Sequence, residues 1–250
     1  MERYKQDISS VPYDIRQFLP NRCCWLQMNA MQGRKQINAS APEVYDVGEH
    51  VAIVLSGTTA PTLTHVVNTG QEPPSYLQMA PANASNSRGI IGNRRDTVSG
   101  DSYQFGKCES DVTARVRYAD TDTTGTHAFA AVGFLEGINL LSAQTLCAAF
   151  TTNGLLKWAV TIVTDGVTVT YDTGISSDTW RDLSVWVSAD AKTAVFSIDS
   201  VPVYSLSAAR IAQLNTSSNL GAGAVVRRLS GSSTRSLQVA WYVERYFMNR

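Results

Sequence analysis

Two carboxylates near the middle of the chain, Glu109 and Asp111, have the spacing of a pair that could act together on one substrate. Side chains two residues apart on a β-strand point to the same face. In glycoside hydrolysis, two carboxylates that face one cleft serve as acid and as nucleophile or base. The residues that follow are Thr113 and Ala114, so the strand offers no third carboxylate. We interpret Glu109 and Asp111 as polar residues that are solvated where a strand begins.

The loop from Asp120 to Gly125 has the oxygen-bearing side chains of the first half of a calcium loop. The twelfth position of such a loop is Ala131, which cannot supply the bidentate carboxylate. The segment therefore favours a hairpin turn, with a bound calcium ion as the alternative.

Histidines, cysteines and sequence motifs indicate no other site. The histidines are His50, His65 and His127. No pair of them has zinc-site spacing, and although strands could bring the first two together, each is interpreted as a strand surface residue.

The cysteines are Cys23, Cys24, Cys108 and Cys147. They form no CxxC pair and are expected to be free thiols. With no GxSxG motif and no glycine-rich phosphate loop, we predict no catalytic, cofactor-binding or metal-binding residue, and no cofactor.

Aromatic residues are numerous enough to form a stacking platform for sugar rings on a concave sheet face. The tryptophans are Trp25, Trp158, Trp180, Trp186 and Trp241. The last four lie in β-rich runs with aliphatic neighbours, which predicts that they pack in the core. The Asn-x-Ser patterns at Asn38, Asn83 and Asn215 are interpreted as coincidences of a serine-rich sequence.

The composition argues against several classes of partner. Of the 250 residues, 44% are hydrophobic and only 17% are charged, with 21 basic and 21 acidic side chains. A net charge of zero predicts neither binding to the phosphate backbone of a nucleic acid nor attraction to anionic lipid. It also means that no charge repulsion opposes association between copies of the chain. The start of the chain lacks the apolar stretch of a secretory signal, and no segment approaches eighteen apolar residues. We expect a soluble protein made in a cytoplasm.

Periodicity divides the chain into an arm, residues 1–48, and a β-sandwich domain, residues 49–250. The arm has no sustained period and is interrupted by Pro12, Pro20, Gly33 and Pro42. It carries too much apolar surface for a disordered tail, so it is expected to pack along its own domain or a neighbouring subunit. Residues 80–100, rich in Asn, Ser, Gly and Arg, are expected to form a long surface loop or a crossover.

Alternation of apolar and polar residues predicts about a dozen strands in the domain. Val112, Ala114, Val116 and Tyr118 share one strand face, and Thr113, Arg115 and Arg117 share the other. Asp165-Gly166 is the sharpest hairpin signal, and Leu206 to Leu214 has the stripe of one short helix. These patterns predict an all-β fold, an antiparallel two-sheet jelly-roll-like sandwich with a closed barrel as the alternative.

The segment DTWRDLSVWVSADAKTAVFSIDSVPV, from Asp178 to Val203, resembles the concanavalin A-like lectin and glucanase superfamily, including its laminin G relatives. The closing segment LGAGAVVRRLSGSSTRSLQVAWYVERY resembles the end of such domains, and the likeness extends from about Ser102 to Phe247. Ser200 follows Asp199 where the family has Gly, and Ala240 stands where an Asp is frequent. Glucanases of the superfamily carry three carboxylates as Glu-x-Asp-x-x-Glu, and this chain lacks the third. The resemblance therefore implies the architecture rather than an active site.

Domains of this pattern with an N-terminal arm are similar to virion proteins of tailed bacteriophages, where jelly-roll-like sandwiches serve as capsid decoration proteins or tail components. The resemblance implies a non-enzymatic structural protein located in the virion and made in the host cytoplasm. Its expected partners are other virion proteins and copies of itself, for instance as trimers, with no nucleic acid and no membrane. The alternatives are a carbohydrate- or receptor-binding module that contacts a host glycan, and a glycoside hydrolase or lyase whose acidic groups cannot be placed.

Overall fold

A computed structural model describes fifteen segments of the chain: residues 23–29, 38–39, 44–46, 51–56, 62–68, 72–82, 87–93, 105–106, 108–120, 128–135, 147–152, 156–164, 167–206, 221–228 and 235–248. Within them all regular structure is β, and no helix occurs that could cross a membrane. The strands are β1 Cys23–Asn29, β2 Asn38–Ala39, β3 Val44–Asp46, β4 Val51–Ser56, β5 Thr62–Val67, β6 Ser75–Ala80, β7 Arg88–Asn93, β8 Cys108–Asp120, β9 Ala128–Leu135, β10 Cys147–Thr152, β11 Lys157–Thr164, β12 Val167–Ser176, β13 Arg181–Val187, β14 Ala194–Ile198, β15 Val201–Leu206, β16 Gly221–Arg228 and β17 Arg235–Met248.

The strands form two antiparallel sheets. Sheet I has the order β15-β14-β13-β8-β17-β6-β5-β2, and β1 pairs with β17 beside β6. Sheet II has the order β12-β11-β10-β9-β16-β7-β4-β3. Strands that are adjacent in a sheet are often distant in sequence: β8 pairs with β17, and β9 pairs with β16. The prediction of an all-β, two-sheet antiparallel sandwich is confirmed.

The core lies between the sheets and follows the predicted alternation. On β8, Val112, Ala114 and Val116 are fully buried in the core. From sheet II, β10 and β11 contribute core residues such as Phe150, whose ring packs against Phe196 of β14 at 5.7 Å between centroids. Edge-to-face contacts between large rings add to the burial energy of the two sheets. The two sheets are therefore joined through side chains rather than through a shared strand.

Three short strands fall within the segment predicted as an N-terminal arm. The first of them, β1, pairs with β17 over the register Cys23–Phe247 to Asn29–Trp241, so this stretch packs along its own domain. The domain boundary at residue 48 itself stays a prediction. The predicted helix begins at Leu206, which is the last residue of strand β15. Its remainder lies outside the described residues. The prediction of a long loop over residues 80–100 was wrong for Arg88–Asn93, because this stretch is strand β7, which pairs with β4 and β16 inside sheet II.

Two hairpin connections follow the sequence signals closely. β11 and β12 pair in register up to Thr164 and Val167, which confirms the hairpin predicted at Asp165-Gly166. β14 and β15 are joined by Asp199 and Ser200, and both residues have left-handed backbone angles, with φ of 51° and 66°. Two-residue hairpin turns of this twist require positive φ at both central positions. The turn therefore holds Ser200 in a backbone conformation that favours glycine, the residue that the resemblance led us to expect there.

Candidate functional site

The two carboxylates singled out by their spacing lie together on the outward face of sheet I. Glu109 and Asp111 alternate along β8 with core residues such as Val112, so both point away from the core. Trp186 on the neighbouring strand β13 donates its indole N–H to Glu109 Oε1 at 2.7 Å. The carboxylate of Glu109 is therefore used to fix the orientation of a large side chain.

Asp111 is buried at the centre of a hydrogen-bond network. Its carboxylate is only 2% exposed, and it accepts hydrogen bonds from Ser184 Oγ at 3.0 Å and Thr113 Oγ1 at 3.2 Å. Arg245 of β17 donates through Nε at 2.7 Å and also through Nη2 to Asp111 Oδ2. The interpretation of Asp111 as a solvated residue was wrong, because neighbouring strands cover it and supply a cation. A buried ion pair with this many donors holds three strands together and leaves no free base for catalysis.

The tryptophans divide between the core and the surface. Trp158 is fully buried in the core, as predicted, and its indole N–H has no hydrogen-bond partner. Trp180, Trp186 and Trp241 are only partly buried. The prediction that these three pack in the core was wrong, because on β13 and β17 they alternate with the inward residues or flank them. Trp25 lies on β1, where only the backbone is described.

Three aromatic residues and three polar residues lie on this face, and we call them together the aromatic patch: Tyr76, Gln78, Arg115, Trp180, Gln238 and Trp241. The rings of Tyr76 and Trp180 meet edge to face at 5.3 Å. On adjacent strands, Gln238 donates from Nε2 to Gln78 Oε1 at 3.0 Å. Trp241 is the register partner of Arg115, whose guanidinium lies 3.6 Å from Asp182.

The polar members of the patch retain unused hydrogen-bonding capacity. Gln238 is 7% exposed and its Oε1 atom has no partner, and Arg115 Nε has none either. Buried amide and guanidinium atoms without partners cost free energy unless a water or ligand satisfies them. Partly exposed aromatic rings beside planar polar side chains provide the two kinds of contact that sugar rings use. None of these polar residues was predicted as a site residue from the sequence, and the alternation placed only Arg115 on the outward face. The same alternation, with buried Leu77 and Val239, would have placed Gln78 and Gln238 there too.

The outward face of sheet II has a different character. Ile90, Ala131 and Val225 belong to a second buried apolar cluster on that face. Next to them, Arg88 and Arg227 are register partners on β7 and β16. Burial lowers the pKa of both guanidinium groups, and the adjacent positive charge of Arg227 lowers the pKa of Arg88 further.

The remaining predicted sites can be compared with the structure only in part. Ala131, the twelfth position of the calcium-like loop, is buried on β9, and Asp120, its first position, is the last residue of β8. Residues 121–127 lie outside the described residues. In the described part of the chain no three His, Cys, Asp or Glu residues cluster to hold a metal ion. His65 lies on β5, and the other two histidines fall outside the description. The calcium alternative therefore remains an untested prediction.

The carboxylate arrangement of a glucanase is not found on either outward face in the described residues. On β8, Thr113 follows the pair Glu109 and Asp111 at the next position of the same face. The other acidic residue of that face, Asp182, is paired with Arg115. The site therefore has the features of a binding surface, an aromatic patch beside a structural ion-pair network.

The fold is similar to that of several solved β-sandwich proteins. No protein-family model and no curated protein matches the sequence. Among solved structures, the chain is similar to a protein of unknown function from Shewanella oneidensis, with 12% identity and a TM-score of 0.59 over 92% of this chain and 89% of the other.

Two enzymes have the same architecture. An endo-1,3-β-glucanase from Streptomyces sioyaensis is 10% identical with a TM-score of 0.56, over 92% of this chain and 99% of the enzyme. An endo-β-1,4-glucuronan lyase from Trichoderma reesei is 11% identical with a TM-score of 0.53, over 92% of this chain and 96% of the lyase. These likenesses confirm the fold implied by the concanavalin A-like resemblance. Among these neighbours one fold carries enzymes that act on different polysaccharides, by their names a glucan and a glucuronan.

Proposed function

We propose that this chain is a non-enzymatic structural protein of a tailed-bacteriophage virion, a β-sandwich that decorates or cements the capsid or forms part of the tail. The observation that carries the non-enzymatic part is the use of Glu109 and Asp111 in structural contacts with Trp186 and Arg245. A neutral, charge-poor chain is suited to assembly in many copies, since nothing in its net charge opposes association.

The virion proposal is tested by locating the protein on purified particles. Mass spectrometry of the particles and antibody labelling in electron micrographs should find it on the capsid or the tail. A truncation should stop before Cys23, because β1 pairs with β17 along its whole length. Removing residues 1–22 should leave a folded domain that no longer joins the particle. Absence of the wild-type protein from particles would overturn the proposal, and incorporation of the truncated form would overturn the role of the arm.

A second candidate, a carbohydrate- or receptor-binding module of the virion, is favoured by the aromatic patch. Three aromatic rings, a glutamine pair and a guanidinium lie on one outward sheet face, and atoms of Gln238 and Arg115 have no partner. The ring faces suit the apolar faces of a pyranose, and the polar atoms suit its hydroxyl groups. Two enzymes of the same fold act, by their names, on a glucan and a glucuronan, which adds support to a glycan as ligand.

This candidate is tested with soluble β-1,3-glucan, β-1,4-glucuronan and a glycan array. Trp180→Ala and Trp241→Ala should each reduce binding by roughly two- to thirteenfold, since stacking on one ring is worth about 0.5–1.5 kcal/mol beyond area burial. Trp186→Phe, on the same face but outside the patch, is the matched control and should bind as wild type. Wild type that binds no glycan would retire the candidate. Release of reducing ends or unsaturated products from either polysaccharide would contradict the non-enzymatic proposal itself.

A further inference from the structure

Strand β12 forms one edge of sheet II and leaves part of its backbone open. Its first five residues, Val167 to Tyr171, pair in unbroken register with Thr164 to Val160 of β11. In the described part of the chain no strand pairs with the opposite side of β12. Thr168, Thr170 and Tyr171 are all exposed, and none of the five residues is charged. An uncharged, regular edge of β-branched and aromatic residues is a template for pairing with another strand.

The adjacent edge and the rest of β12 are protected in ways that natural proteins use. β15, the edge of sheet I, contains Pro202, which has no N–H to donate, and a register shift between Phe196 and Ser197 interrupts its pairing with β14. In β12 itself, pairing with β11 stays in register through Asp172, and the register shifts only beyond it. Asp172 is charged and accepts a hydrogen bond from Gly174 N at 2.8 Å. The uncharged open stretch is therefore confined to Val167–Tyr171, next to an edge, β15, that carries protective features.

We propose that Val167–Tyr171 is an interface at which β12 pairs antiparallel with β12 of a second copy of this chain across a twofold axis, so that the two copies of sheet II become continuous. A twofold axis places a strand antiparallel to itself, and this is the geometry of a β ladder. The paired segment contains no charge, so no like charges are brought together, and the net charge of the chain is zero. This self-complementarity selects a second copy rather than a charged partner.

An exposed aromatic residue lies where the two copies would meet. Tyr171 is 44% exposed and packs on Tyr204 of β15 at 5.2 Å between ring centroids. Tyr204 in turn contacts the core residue Phe196 at 6.1 Å. Tyr171 is thus supported by a row of rings that leads into the core, and its exposed surface is held in a fixed position. Aromatic residues of this kind are enriched at protein interfaces because they bury much area with little loss of side-chain entropy. The inference does not depend on the virion assignment.

The test compares two double variants of the full chain by analytical ultracentrifugation between about 1 and 100 µM, the range in which weak interfaces dissociate. Thr168→Lys with Thr170→Lys places two cations on the open edge. In a twofold ladder the two lysines of one copy lie opposite the two lysines of the other copy. The wild type should be a dimer, and this variant should raise the dimer dissociation constant at least about tenfold, because like charges directly opposite destabilise strand pairs. Val201→Lys with Ser205→Lys, on exposed positions of β15, is the matched control and should dimerise as wild type.

Hydrogen exchange gives a second readout that needs no variant. The amides of Val167–Tyr171 should exchange more slowly at high protein concentration than at low, while those of β15 should not change. A monomeric wild type at 100 µM, a trimer, or equal association of the two lysine variants would overturn the proposal. Circular dichroism confirms that each variant is folded, and an unfolded β12 variant leaves the exchange experiment to decide.

Discussion

Replacing Asp111 by alanine should destabilise the sandwich far more than breaking an exposed ion pair. The side chain of Asp111 is 2% exposed and that of its partner Arg245 is 15% exposed, so the ion pair is largely shielded from solvent. Removing Asp111 leaves a buried guanidinium without its counter-charge and also leaves the hydroxyls of Ser184 and Thr113 without their acceptor. Breaking a buried pair by deleting one partner costs about 3–5 kcal/mol.

The assay is urea unfolding followed by tryptophan fluorescence and by circular dichroism, with agreement of the two probes as the test of two-state behaviour. The matched control is Arg181→Ala, which breaks a 2.7 Å pair with Asp199 whose side chains are 33% and 44% exposed. It should cost about 1 kcal/mol or less. The double variant Asp111→Leu with Arg245→Met, which removes both charges, should recover most of the loss. A cost for Asp111→Ala no larger than that of the control would refute the inference that this carboxylate is structural.

Three further predictions concern the backbone and one ring. Ser200→Gly should raise stability by about 1 kcal/mol, or about 2–4 °C in Tm, because Ser200 holds a left-handed angle that only glycine adopts without strain; an unchanged Tm would contradict the turn geometry. Gly133→Ala should cost about 3 kcal/mol by urea unfolding, since its new Cβ would lie 2.6 Å from Ala148 O at a φ of 144°. Gly174→Ala, with φ of 72° but no atom within 4 Å, should cost only about 1 kcal/mol, and the reverse order of these two would show that crowding is not the cause. Trp186→Phe should lower stability by about 1 kcal/mol while leaving the fold intact, because Glu109 loses one donor; no change in unfolding midpoint would mean that water replaces the indole N–H.

The elements of the sandwich could be predicted where one strand is buried on a single face. On β8 the alternating residues identified as one face, such as Val112 and Val116, are the ones that the core buries. The hairpin between β11 and β12 could be predicted because its turn residues are adjacent in sequence. β1 could not, because its pairing with β17 joins residues that are more than two hundred positions apart, and no local pattern encodes such a partner.

The candidate site shows the same division. The spacing of Glu109 and Asp111 by itself determined that they share one strand face, since the side-chain period of a strand is two. The solvent exposure of that face depends on the side chains that β13 and β17 place beside it. Only the tertiary structure therefore decided that Asp111 is a buried partner of Arg245. It also decided that the side chains of Trp180 and Trp241 lie on the outward face. The sequence could not show this, because residues adjacent in sequence lie on opposite faces of a strand, and aliphatic neighbours do not indicate which face packs against the core.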